Sequence, residues 1–194
     1  MNEKGYTLVE LLVVMVILSI VVAGLTTVFV TGSNAEAQLN NRFQAQLQAR
    51  TAIDKLRLDI HCASAAQAQT VNTYPSVKLA VGNCYSATPT ISWCVVQVLA
   101  SPPRYQLYRT TGTTNICQSS DASRLLVADY LTSSSVFTTA TLPQYSLQTV
   151  GVSLTVSTNQ KSKTAEVYKL SDSIVARAST RCVTSGGCAA PSVP

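Results

Sequence analysis

The sequence predicts an α+β protein: a long N-terminal α-helix, transmembrane in its first half and amphipathic in its second, packed against an antiparallel β-sheet head. Three observations predict it. Residues Leu11 to Val30 form a twenty-residue run without charge, broken only by Ser19, Thr26 and Thr27. No proline occurs before Pro75, and apolar residues beyond Val30 recur at helical spacing. From Val77 onward the chain turns to short runs rich in Val, Ile, Thr and Tyr, separated by Pro, Asn and Ser.

The apolar run comes first in the chain. At about 1.5 Å per helical residue, twenty residues cross the roughly 30 Å hydrocarbon layer of a bilayer. A cleavable secretory signal has a shorter apolar core and then a small-residue cut site, whereas here the run passes into helix-compatible sequence. The head MNEKG carries Lys4, which favours a cytoplasmic N-terminus and an exported remainder. Residues 4 to 25 hold one acid, Glu10, inside a run that otherwise reads as membrane span. A carboxylate at the centre of a membrane helix costs about 2.5 to 3.5 kcal/mol on insertion scales, so a residue of this kind points to a use.

Lys4-Gly5, then Tyr6-Thr7-Leu8-Val9-Glu10, then a long apolar run, resembles the processing signal of type IV pilins and type II secretion pseudopilins. The resemblance implies cleavage between Gly5 and Tyr6 by a prepilin peptidase on the cytoplasmic side, and methylation of the new Tyr6 amine. Tyr6 stands where Phe is commoner. It also implies a role for Glu10: its carboxylate pairs with the Tyr6 ammonium of a neighbouring subunit and sets the register of a helical stack. Two plainer roles are a pairing of Glu10 with Tyr6 on its own helix face, and a signal anchor whose Glu10 lies in the headgroup region.

After Val30, Leu39, Phe43, Leu47, Ile53, Leu56 and Ile60 recur mostly at spacings of three and four, with Gln, Asn and Arg between. The pattern predicts an amphipathic helix whose stripe is buried under a sheet, and one continuous helix from about Tyr6 to His61. Gly24 and Gly32 are its weak points.

In the head, Ala63 to Asn72 reads as a connecting loop or fraying helix end. Strands are predicted at Val77–Val81, Thr90–Leu99, Arg104–Thr110, Arg124–Ala128, Ser146–Ser157, Thr164–Leu170 and Ser173–Ser179, with Ser101-Pro102-Pro103 as a hairpin turn. The expected divisions are a leader over 1–5, a transmembrane helix over 6–30, an amphipathic helix over 31–62, an exported head over 63–188 and a flexible tail over 189–194. The order of elements in the head resembles minor pilins and pseudopilins of the J or W type.

Six cysteines, Cys62, Cys84, Cys94, Cys117, Cys182 and Cys188, all lie beyond the apolar run. An even set in an exported chain reads as disulfides, and without a C-x-x-C pair, and with His61 the sole histidine, zinc is the weaker reading. Six cysteines allow 15 full pairings. Proximity favours Cys182 with Cys188; Cys62 with Cys84 would tie the helix end to the first strand, and Cys94 with Cys117 would tie the hairpin to the following loop.

Composition excludes more than it assigns. Only 12% of residues are charged and the formal net charge is +5, scattered without a dense basic stripe. DNA binding is therefore permitted and not indicated; the second reading is a DNA-binding minor pilin of a competence, or DNA-uptake, pilus, with Lys161, Lys163, Arg177 and Arg181 as its exposed cations. No nucleophile elbow or phosphate loop occurs, and His61 beside Cys62 reads as a solvated helix terminus. Asp121, Asp129 and Asp172 read as separate loop acids, and Trp93 with Tyr105, Tyr108, Tyr130 and Tyr145 as strand aromatics in the core. A membrane-tethered enzyme or sugar-binding head remains a third, weaker reading.

The expectation is a non-enzymatic subunit with no cofactor and no metal. Its partners would be other pilin or pseudopilin subunits, the prepilin peptidase and an inner-membrane assembly platform. It would sit in the cytoplasmic membrane first, as a single-pass protein with its N-terminus in the cytoplasm, and then in an extracytoplasmic pilus or pseudopilus, as a minor, priming subunit.

Overall fold

The computed structural model describes residues 7–71, 73–81, 84, 90–111, 117–118, 120–139, 146–158 and 167–180. One helix, α1, runs from Leu8 to Cys62, and its second part packs against an antiparallel, curled β-sheet. The strands are β1 (Ala65–Val71), β2 (Tyr74–Ala80), β3 (Thr90–Leu99), β4 (Arg104–Thr110), β5 (Leu125–Leu131), β6 (Phe137–Thr139), β7 (Thr149–Ser157) and β8 (Val167–Val175). Their order is β1-β2-β3-β4-β5-β7-β6, with β8 also paired to β7. The chain forms two compact units, residues 1–41 and 42–194.

β3 and β4 begin and end where the sequence predicts. Ile91, Trp93 and Val95 alternate toward the core while Leu99 pairs with Arg104 across the Pro102-Pro103 turn. Side chains of a strand alternate between faces, so β3 also sends Cys94 and Val96 the other way. That second face is covered by Cys117, Val71, Tyr74 and Tyr108. The main core joins Ile53, Leu56 and Ile60 of α1 to Val77, Leu79, Trp93, Leu107, Leu131, Val152 and Leu154 of the sheet.

β1 lies beside β6 although five strands separate them in the sheet order, which is the curl made visible. The meeting is closed by a side chain. Gln148, fully buried, accepts from Ala66 N through Oε1 at 2.8 Å and donates from Nε2 to the Ala66 carbonyl. Its amide thus occupies the outward backbone groups of β1 as a neighbouring strand would. Gln148 is itself held by Ser179 Oγ, which accepts from its backbone N at 3.1 Å, and by Ala176, whose N donates to its carbonyl at 2.8 Å.

Several expectations are corrected. Ala63 to Asn72 is not a loop over its length; Ala65 to Val71 is β1, a strand made by pairing with β2 rather than by the weak strand preference of Ala and Gln. The strands expected at Thr164–Leu170 and Ser173–Ser179 are joined in one, β8, which runs unbroken through Ser171-Asp172 in a continuous ladder with β7 and ends at Val175; residues 164–166 lie outside the described residues. β6 was not foreseen.

The helix stripe is only half as expected. Ile53, Leu56 and Ile60 are buried, but Leu39, Phe43 and Leu47 are 66%, 59% and 50% exposed. The face turned to the sheet is instead Ala45, Ala49 and Ala52. Small side chains there leave room for Tyr130, Tyr168 and Val156. Tyr130 reaches that place from the left-handed region of backbone space, φ 59°, at the irregular end of the β4–β5 pairing.

Candidate functional site

The first site is the start of α1. Thr7 precedes the first helical residue, and its Oγ1 accepts from Glu10 N at 3.3 Å. Glu10 Oε2 in turn accepts from Thr7 N and Thr7 Oγ1, both at 3.1 Å. This is a reciprocal capping box, which satisfies two of the donors that a helix start leaves open. It is a role for Glu10 that the sequence reading did not assign, although Thr7-Leu8-Val9-Glu10 before an apolar run is its signature. The carboxylate is therefore held by its own chain while remaining exposed.

Beyond it, α1 is long and apolar enough to cross a membrane. Every residue from Leu11 to Val30 is exposed, and all the large apolar ones are at least 50% so. The polar interruptions are answered internally. Ser19 Oγ donates to the Val16 carbonyl at 2.7 Å, Thr27 Oγ1 to Ala23 at 2.9 Å, and Thr26 Oγ1 to Val22. Hydroxyls so engaged need nothing from hydrocarbon, where an unpaired polar group is costly. Gly5 and Tyr6, the residues flanking the expected cut, lie outside the described residues.

The second group of sites fastens the helix to the head. Asp59, 2% exposed, receives the indole N–H of Trp93 at 3.0 Å on Oδ2 and a two-point contact from Arg109, Nε at 2.7 Å and Nη2 at 3.2 Å. Arg57 Nη2 lies 2.8 Å from Asp172, and the bond and charge of Arg57 hold the Asp172 carboxyl below the usual range. His61 is not a solvated terminus; its Nδ1 donates to the Val175 carbonyl at 2.9 Å. Cys62 is bonded to Cys84, and Cys94 to Cys117, each pair with Cα atoms 5.8 Å apart. Cys182 and Cys188 lie outside the described residues.

Asp129 and Asp172 are not loop acids. Both are in strands, and Asp129 takes Arg104 Nε at 3.0 Å, Arg104 Nη2 at 2.5 Å and Gln106 Nε2 at 3.0 Å. Burial pushes the Asp129 carboxyl up, but these bonds and that of Tyr130 N outweigh it, and the net shift is downward. Arg104 also stacks on Tyr130, 3.8 Å from the ring centre. Trp93 is fully buried and Tyr105 packs on the core; Tyr145 lies outside the described residues.

Of the cations named for DNA, Arg177 is exposed in the turn after β8, and Lys161, Lys163 and Arg181 lie outside the described residues. Among the described residues, no three His, Cys, Asp or Glu side chains converge as a metal site would require.

The family model described as the prokaryotic N-terminal methylation motif matches residues 1–26. The chain carries a type IV pilin-like prepilin signal. The match covers the signal and most of the apolar run, so it supports a substrate of prepilin peptidase that is anchored by its N-terminal helix. No curated protein and no solved structure matches the chain. The head must be read from its own architecture, which is that of a helix packed on an antiparallel sheet, as in pilins.

Proposed function

We propose that this chain is a structural subunit of a type IV pilus or of a type II secretion-like pseudopilus. It is inserted with its N-terminus in the cytoplasm, cut between Gly5 and Tyr6, methylated on Tyr6, and added to a filament by the assembly platform with its head outside. The leader is 1–5, the filament-core helix 6–30, the amphipathic helix 31–62, the head 63–188 and the tail 189–194. The observation that carries the reading is the methylation signal leading into a helix whose large apolar residues from Leu11 to Val30 are all uncovered.

Glu10 is the assembly residue in this reading. A carboxylate moved into a packed helical core needs a counter-charge, and cleavage makes one at the Tyr6 amine of an adjoining subunit. The donors of Thr7 hold Glu10 until that ammonium takes over. A head of this size, resembling the J or W type, supports a minor, priming place in the filament.

Glu10→Ala should leave insertion and cleavage intact and reduce incorporation into filaments at least tenfold, read by shearing and immunoblotting against the membrane fraction. Normal incorporation would refute the role. Mass spectrometry of assembled material should show a methylated Tyr6 N-terminus, and retention of the first five residues there would refute processing.

A further inference from the structure

The head's share of α1 is fastened very unevenly. Between Arg57 and Cys62 the ties are directional and reach four places: Arg57 to Asp172 on β8, Asp59 to Trp93 on β3 and Arg109 on β4, His61 to the Val175 carbonyl, and Cys62 to Cys84 after β2. These four residues of the 57–62 segment form a clasp. Leu56 and Ile60, both fully buried, fill the space beneath it.

Between Phe43 and Arg50 the contact is of another kind. Among the described residues of that stretch, Gln48 is the polar side chain that reaches the sheet, accepting from Asp129 N at 3.4 Å. Its buried members are Ala45 and Ala49, which offer one methyl each to Val156, Tyr130, Tyr168 and Leu170. Phe43 and Leu47, which have far more surface to bury, point away from the sheet. Burial free energy grows with apolar area, and the helix brings only two methyl groups here, without the ion pair, buried two-point contact and disulfide that reinforce the clasp.

We propose that the seam between residues 43–50 and the sheet opens on its own, ahead of global unfolding, with the helix bending between Arg50 and Ile53 while Ile53, Leu56 and the 57–62 clasp stay seated. Proteins open in contiguous units whose stability follows their local burial and bonding, and the seam and the clasp are two such units on one helix. The core cluster around Trp93, Leu56 and Ile60 stays closed while Ala45, Ala49, Val156 and the rings of Tyr130 and Tyr168 are uncovered. Tension entering the head through Arg42 meets the seam contacts one after another, as a zip does. At the clasp it meets an ion pair, a buried two-point contact and a covalent bridge that bear it together.

The test uses the full chain in detergent micelles under non-reducing conditions, carrying Ala49→Cys or Ile60→Cys, with alkylation by N-ethylmaleimide followed by mass spectrometry. The thiol of the Ala49→Cys variant should react at least tenfold faster than that of Ile60→Cys, and its rate should be nearly independent of low urea, whereas the Ile60→Cys rate should climb with urea. Equal rates with the same urea dependence would overturn the proposal. Should Ile60→Cys fail to fold, Val156→Cys beneath the seam is compared with Val95→Cys in the main core, with the same two outcomes deciding.

Discussion

Two acids on the same helix, Glu10 and Asp59, have opposite surroundings. Glu10 is exposed, and its partner is Thr7, three residues away. Asp59 is buried, and its partners are 34 and 50 residues away on β3 and β4. A carboxylate whose partners come from the folded sheet is committed to the fold. One whose partners come from its own turn can exchange them without disturbing the fold, as the assembly role proposed for Glu10 would require. The same contrast recurs with the neutral amide of Gln148, whose partner Ala66 is 82 residues distant.

The sharpest way to break this comparison is Asp59→Ala. It leaves Arg109 and the Trp93 N–H without their buried acceptor, and removing one partner of a buried pair costs about 3 to 5 kcal/mol. Chemical denaturation of the full chain in micelles should show that loss, while Glu10→Ala should leave the head's transition where it was. Equal effects would abolish the distinction. Next in size, Gln148→Ala strands the outward N–H and carbonyl of Ala66 in a buried place and should cost about 1 to 3 kcal/mol. Amide exchange at Ala66 should accelerate with it, and an unchanged midpoint would show that water serves as well.

The smallest effect is that of acid. Asp129 and Asp172 both ionise at lower pH in the folded head than in the unfolded chain. Their contribution is therefore complete above the unfolded carboxylate value of about 4 and drains away as pH falls through their folded values. Thermal melts should be flat from pH 7 to 5 and decline below about 4. Asp172→Asn should flatten part of that decline, and a decline unchanged in both Asp172→Asn and Asp129→Asn would assign it to other groups.

The parts of this molecule legible in the sequence are those fixed by neighbours in the chain. The apolar run from Leu11 to Val30 and the bounds of β3 and β4 follow from local composition, alternation and the Pro102-Pro103 turn. β1 was illegible because Ala-Ala-Gln-Ala-Gln is a poor strand by itself and is made one by β2 and Gln148. The helix stripe was misread for a geometric reason: periodicity shows that Leu39, Phe43 and Leu47 share a face with one another, but not on which side the sheet lies. Three alanines at 45, 49 and 52 marked that side, and small residues give no hydrophobic signal. Asp129 and Asp172 passed for loop acids because Arg104 and Arg57 stand 25 and 115 residues away from them. The capping box is legible in Thr7-Leu8-Val9-Glu10, where the pilin-like signal carried by the same Glu10 is the stronger pattern.

The amide of Gln148 against Ala66 has a further consequence. A bare strand margin is a template on which any extended chain can crystallise, and it cannot tell a proper neighbour from a stray one. By plugging the margin of β1 at one peptide group, a single glutamine denies it to strangers. β8, at the opposite margin, carries Lys169 and Asp172, whose charges discourage the same accident. Both margins of the described sheet are thereby made poorer templates for a further strand.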